Sequence, residues 1–134
     1  MSIQQVKKSR SHDESKMQQA CVQWFRLKHR SLSMLLFAIP NGSKLAGNQT
    51  QRAIQGKRLK AEGLVAGVAD LFLAVPSGQY HGLFLEAKTE KGRQSDSQKA
   101  FEKSVLDAGY GYCLFRSHKE FEQIVSSYLE HGYY

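Results

Sequence analysis

Asp70-Leu71-Phe72-Leu73 and Leu83-Phe84-Leu85-Glu86-Ala87-Lys88 are two short apolar runs separated by Pro76-Ser77-Gly78, and their reading decides the fold. Proline presets its own φ and glycine tolerates the positive φ of tight reversals, so the two runs are predicted to pair as a β-hairpin. A hairpin symmetric about Gly78 opposes Leu73 with Leu83, Phe72 with Phe84, Leu71 with Leu85 and Asp70 with Glu86. Directly opposed residues have Cβ atoms about 4.5–5.5 Å apart, so two carboxylates there repel unless a cation lies between them. Strand side chains alternate faces, which puts Lys88 on the same face as Glu86. An ionised carboxylate in a strand that otherwise reads as core costs roughly several kcal/mol unless it is paired. A metal ion is the expected partner.

The chemistry that fits is phosphodiester cleavage. It needs a hard cation to neutralise charge developing on phosphoryl oxygens and to make water a better nucleophile. Mg²⁺ takes oxygen ligands and keeps several waters, so one or two carboxylates suffice. Asp70 and Glu86 meet that need, the backbone carbonyl of Ala87 is a further ligand, and Lys88 can hold the attacking water and offset phosphate charge. Taken singly, Asp70 reads equally well as a cap at a loop-to-strand junction and Glu86 with Lys88 as a solvated pair at a strand end. Their combination across one apolar hairpin favours the site.

Outward from the hairpin, the chain reads as one domain over residues 11–134 behind a flexible basic arm over residues 1–10. Ser11-His12-Asp13-Glu14 matches a capping box that would open a helix to about His29, with Met17, Ala20, Cys21, Trp24 and Leu27 as its buried stripe and Glu14 on the same side. The capping role is also the plain structural reading of Glu14. Met34-Leu35-Leu36-Phe37-Ala38-Ile39 is expected as a buried strand ending at Pro40-Asn41-Gly42. Residues 49–62 are predicted to form a solvated basic helix stopped by Gly63. Ser95-Asp96-Ser97-Gln98 is a second capping box, opening a helix to Ala108 with Phe101, Val105 and Ala108 inward. Tyr110 to Phe115 reads as a strand, and Ser117 caps a last helix through Phe121, Ile124, Val125 and Tyr128. The order is α-β-α-β-β-α-β-α. The last two strands, joined by a helix, form a parallel crossover and so a mixed β-sheet flanked by helices.

Composition narrows the partners. A net charge of +7 and a pI of about 9.5 make a polyanion plausible, although charge alone is weak support. The cations gather in Lys7, Lys8 and Arg10, in Arg52, Lys57, Arg58 and Lys60, and in Lys88, Lys91, Arg93 and Lys99. The second group reads equally as a soluble helix face. No apolar run reaches the roughly 20 residues a membrane helix needs, and the start lacks a signal-peptide core, so an intracellular place is expected. Cys21 and Cys113 are expected as reduced, buried thiols, and the five scattered histidines lack zinc spacing.

Asp70 followed by Glu86-Ala87-Lys88 resembles the PD-(D/E)xK nuclease signature, and the surrounding sequence is similar to one branch of it, the VRR-NUC domains. The resemblance runs from Glu14 to Tyr128. It takes in Glu14 with Gln18, Pro40-Asn41-Gly42, Ala61-Glu62-Gly63 with Gly67-Val68-Ala69-Asp70, and Leu85 to Thr89. It continues through Lys91-Gly92-Arg93, Ser95, Gln98-Lys99 and Gly109-Tyr110. The three-residue motif alone is weak and the ordered set is specific. Ala69 departs from the motif, which has proline there. The resemblance implies a restriction-endonuclease-like core in which Glu14, Asp70 and Glu86 gather Mg²⁺ or Mn²⁺, Lys88 is the catalytic lysine, and Gln98 matches a site glutamine. DNA is the expected substrate, contacted by Asn41, Arg52, Lys57, Arg58, Lys60, Lys91, Arg93 and Lys99. Stand-alone family members of this length are similar to phage or prophage proteins, acting as homodimers arranged like Holliday junction resolvases. Bacterial cytoplasm is then the expected location. The rival expectations are a non-catalytic nucleic-acid-binding module and a nuclease for RNA or linear DNA.

Overall fold

The computed structural model describes residues 3–40 and 45–134, with side chains in the first segment from residue 13 onward. The side chains of Lys7, Lys8 and Arg10 in the expected arm lie outside the described residues, as does Asn41. The first helix, α1, spans Ile3–Lys28, so Ser11 to Glu14 lies inside it and does not open it. A capping box is a local signal, and residues 3–10 contain neither glycine nor proline to stop the helix upstream of it.

Cys21 and Phe25 form the fully buried line of α1, with Met17, Val22 and Trp24 packed beside them. Ala20 and Leu27, expected on that stripe, are exposed, Leu27 to 62%. At about 100° per residue they sit roughly 100–120° around the helix from Cys21, beyond the face that meets the sheet.

Half of the apolar run after α1, from Met34 to Ile39, is strand. Arg30–Leu35 winds as a short 3₁₀ helix, and only Leu36–Ala38 forms β1. The sheet order is β1-β2-β3-β4, with β2 at Leu71–Leu73, β3 at Leu83–Ala87 and β4 at Gly111–Phe115. As an edge strand β1 buries one residue, Leu36, while Met34 just before it is 89% exposed. β1 and β2 are antiparallel, as are β2 and β3, and β3 runs parallel to β4 through the helix α3 at Asp96–Asp107. The mixed sheet and the element order are as expected.

The hairpin register holds: Leu71 faces Leu85, Phe72 faces Phe84 and Leu73 faces Leu83. The reversal itself is centred half a residue later, between Gly78 and Gln79. Ser77 and Tyr80 exchange both backbone hydrogen bonds, at 3.1 and 3.0 Å, around Gly78 at φ +57° and Gln79. Ala74, Val75 and Pro76 therefore oppose only His81 and Gly82, and the extra residue is absorbed before the ladder begins.

Strand alternation gives the sheet two unlike faces. Leu71, Leu73, Leu83, Leu85 and Ala87 enter the core with Phe115 and with Phe121, Val125 and Tyr128 of α4, the helix at His118–His131. Each fully buried leucine contributes about 1.5–3 kcal/mol. Phe72, Phe84 and Glu86 point to the other face. There Phe101 of α3 meets the Phe84 ring at 5.1 Å and the Tyr112 ring at 6.3 Å. Phe101 and Val105 are half-buried, but Ala108, expected inward, is exposed just past the end of α3. The helix α2, Gln49–Ala61, buries no residue and is capped by Asn48. Cys21 and Cys113 are free thiols. Among the described residues no helix is long and apolar enough to cross a membrane.

Candidate active site

The segment entering β2 is fixed by glycine. Gly67 has φ +86°, and a Cβ there would overlap the backbone of Ser97 and Gln98, so only glycine lets this segment pass against the first turn of α3. That approach sets Asp70, just before β2, beside the helix start that carries Gln98. The β2–β3 ladder ends at Leu71 and Leu85, so Asp70 and Glu86 are not a ladder pair. Instead Asp70 Oδ2 accepts the Ala87 N–H at 2.8 Å. Two residues on, the Thr89 N–H donates to Glu14 Oε1 at 3.3 Å. Alternate amides at and just past the end of β3 thus hold one acid from the entry to β2 and one from α1.

Glu86 is held by side chains. Gln98 Nε2 donates to its Oε1 at 2.8 Å and the Tyr112 hydroxyl donates to its Oε2 at 2.8 Å. Gln98 does two jobs with one group: its Oε1 accepts the Ser95 N–H at 2.8 Å, completing the expected capping box, and accepts Lys88 Nζ at 3.0 Å. The cap therefore fixes a bridge between Lys88 and Glu86.

At 1% exposure Glu86 is the buried charged residue among those described. Burial pushes its carboxyl up to about 7; the Tyr112 hydrogen bond and Lys88 pull it down, while Asp70 and Glu14 push it up further. Asp70 is also raised, by burial first, against the Ala87 N–H, with Glu14 raising and Lys88 lowering. Tyr112 is raised as well, chiefly by burial, so its hydroxyl keeps its proton and remains a donor.

Glu14, Asp70, Glu86, Lys88 and Gln98 are brought together, and Ala87 lies among them. The cations are spread over three elements. Arg52, Lys57, Arg58 and Lys60 are exposed on α2, Lys91 and Arg93 on the loop before α3, and Lys99 on α3 itself. Among the described residues no three His, Cys, Asp or Glu side chains converge closely enough to hold a metal ion. The donor set nonetheless suits a hard cation in kind: its oxygens come from acids of which two are desolvated, Asp70 and Glu14 raise the proton affinity of Glu86 and Glu14 raises that of Asp70, a repulsion that divalent charge relieves.

Three contributors escape sequence reasoning. Tyr112 is one, and Gln94 is another, with Nε2 3.3 Å from the Tyr112 hydroxyl. The third is Arg116, whose guanidinium donates to the carbonyls of Thr89 and Gly92, each at 2.7 Å. Only Tyr112 left a signal, since the parallel crossover sets β4 beside β3 and a polar-tipped residue in phase with Glu86 can reach it.

The VRR-NUC domain family profile matches residues 8–119, and the chain belongs to that family. It is thereby a nuclease-type, nucleic-acid-binding domain at the family level. The solved structure of a "VRR_NUC domain protein" superimposes with a TM-score of 0.72 at 21% identity, covering 87% of this chain and 88% of that one, a likeness of fold. No curated protein matches the chain significantly.

Proposed function

We propose that the protein is a Mg²⁺- or Mn²⁺-dependent endonuclease that hydrolyses phosphodiester bonds of branched DNA, as a homodimer. The observation that carries this reading is the Glu86 carboxylate, buried beside Asp70 with Lys88 tied to it through Gln98. Glu14, Asp70, Glu86 and the Ala87 carbonyl would hold the metal, which when bound supplies charge neutralisation and a more acidic water. Among the described residues Lys88 is the cation tied to this acid set, through Gln98, so it orients the attacking water and a non-bridging phosphate oxygen. Gln98 keeps the Lys88 ammonium aimed and Glu86 in place. Water adds to phosphorus and releases a proton to solvent, the bond to the 3′ oxygen breaks, and the leaving oxygen takes a proton from solvent, leaving a 5′-phosphate. Symmetric cutting of a four-way junction needs two such sites, hence the dimer.

The test is cleavage of linear duplex, flap, fork and four-way junction side by side in Mg²⁺ and Mn²⁺, with Asp70→Ala, Glu86→Ala and Lys88→Ala as controls. Paired symmetric nicks in the junction are expected. Losing one preorganised charge typically costs about 10²–10³ in rate, so each variant should lose at least that much while staying folded. Full activity in all three variants would sink the mechanism, and preference for linear duplex would sink the branched substrate. A non-catalytic DNA-binding module is the competing reading, since among the described residues no three acids converge closely enough to hold a metal ion. Binding without turnover in either metal would select it.

A further inference from the structure

The loop from Thr89 to Gln94 is tied to the acids at both ends. At its start the Thr89 N–H holds Glu14. At its end Gln94 donates to the Tyr112 hydroxyl, which donates to Glu86. Between them the turn closes with the Gly92 N–H on the Thr89 carbonyl at 3.0 Å, and the Arg116 guanidinium bonds the Thr89 and Gly92 carbonyls from outside. One cation bonded to two carbonyls of one turn holds that turn more tightly than neutral hydrogen bonds would. The Tyr112 ring is separately anchored against Phe101, so its hydroxyl is delivered to Glu86 from a fixed position.

We propose that Tyr112 and Arg116 are positioning residues: Tyr112 sets Glu86 directly, and Arg116 sets Glu14 through the 89–92 turn. Neither need touch substrate. The assignment rests on Glu14 and Glu86 serving as metal ligands, as argued above. Partners that orient metal-binding carboxylates typically contribute 10–100-fold to metal affinity or activity. The same loop carries Lys91 and Arg93, so the segment that would meet phosphate is also the one that orients the acids.

The test is Mn²⁺ titration without DNA, read as free Mn²⁺ by electron paramagnetic resonance, together with kcat and KM for cleavage. Tyr112→Phe keeps the ring and removes only the hydroxyl. It should weaken Mn²⁺ binding about 10-fold, lower kcat at limiting metal, recover at saturating metal and leave KM for DNA unchanged. Arg116→Met should weaken Mn²⁺ in the same direction, whereas Lys119→Met, an equal charge loss on the exposed first turn of α4, should not. Unchanged Mn²⁺ affinity in a folded Tyr112→Phe protein overturns the role of Tyr112. An equal loss in Lys119→Met overturns that of Arg116, because general charge then explains it. A wild-type protein that binds no Mn²⁺ overturns the metal reading itself and this proposal with it.

Discussion

Glu86 is fully buried, accepts two hydrogen bonds, and still has its carboxyl pushed up to about 7. Burial outweighs both donors and Lys88, so in the metal-free protein this residue stores electrostatic cost. The sign follows from proton uptake. Below about pH 4.5 the acid is protonated in both folded and unfolded chains and costs nothing. Between 4.5 and about 7 the unfolded chain has released its proton and the folded chain has not, so stability falls as pH rises. Above 7 the full loss, on the order of 3 kcal/mol, is present. Asp70 is shifted in the same direction and adds to the slope. Thermal denaturation of the metal-free protein should therefore give a lower Tm at pH 8 than at pH 5, and Mg²⁺ at pH 8 should recover much of the difference. Glu86→Gln should flatten the slope without abolishing it. Its amide can accept from only one of Gln98 and Tyr112, so the absolute Tm drops by the worth of about one hydrogen bond while the pH dependence shrinks. A wild-type Tm that rises from pH 5 to pH 8 in chelator would contradict the assignment.

Among the elements, the β2–β3 hairpin and the entry to β2 decide where the acids stand. Gly67 and Gly63 both have positive φ, +86° and +113°, but a Cβ at Gly63 meets open space whereas one at Gly67 overlaps the backbone at Ser97 and Gln98. Gly63→Ala should cost only backbone strain, about 1–3 kcal/mol, and leave cleavage intact. Gly67→Ala should melt lower still and lose kcat, because relieving the overlap displaces Gln98 and with it Lys88 and Glu86; denaturation curves with single-turnover cleavage separate the two. Equal Tm and equal rates in the two variants would remove the packing argument. The hairpin was legible because a one-residue slip would turn Leu71, Leu73, Leu83 and Leu85 out of the core, and the Pro76-Ser77-Gly78 reversal selects among the slips of two that parity allows. The capping box at Ser95 was legible for a similar reason, since donor and acceptor lie three residues apart. The start of α1 was not: its matching signature at Ser11 to Glu14 lies within a continuing helix, and the Glu14 carboxylate is used by Thr89, which lies far along the chain. Tyr112 and Arg116 act across the parallel crossover, where no local pattern reports the partner. Leu27 looked buried because stripe counting sees helical spacing but not how wide a face the sheet covers.

On the scale of the whole molecule, stability and charge are carried by different parts. The core lies between α1, α4 and one face of the sheet, while α2 buries nothing and carries Arg52, Lys57, Arg58 and Lys60 in solvent. Cations on such an element can be removed without touching packing, which makes their role in DNA binding separable from folding. Arg58 is the least useful of the four, since Glu62 lies 3.8 Å from its Nε and partly neutralises it. An exposed pair of this kind contributes little to stability, so losing it also costs little. If α2 tracks the phosphate backbone, Arg52→Ala, Lys57→Ala and Lys60→Ala together should lower the salt dependence of DNA affinity by up to about 3 in the slope of log K against log salt, at about 0.9 per lost phosphate contact. The same triple variant should keep the wild-type Tm, and at saturating DNA it should keep kcat, because none of the three residues adjoins the acids. A second triple variant, Lys91→Ala with Arg93→Ala and Lys99→Ala, removes equal charge from the loop and helix next to Glu86. If general positive charge were all that mattered, the two sets would change the slope equally and leave kcat alike. Contact at the site predicts otherwise: both sets reduce the slope, but only the second reduces kcat, since its exposed cations lie on the loop and helix beside the acids, where the scissile phosphate would sit. An unchanged slope in the α2 variant would move the DNA path off that helix and onto the α3 side of the sheet.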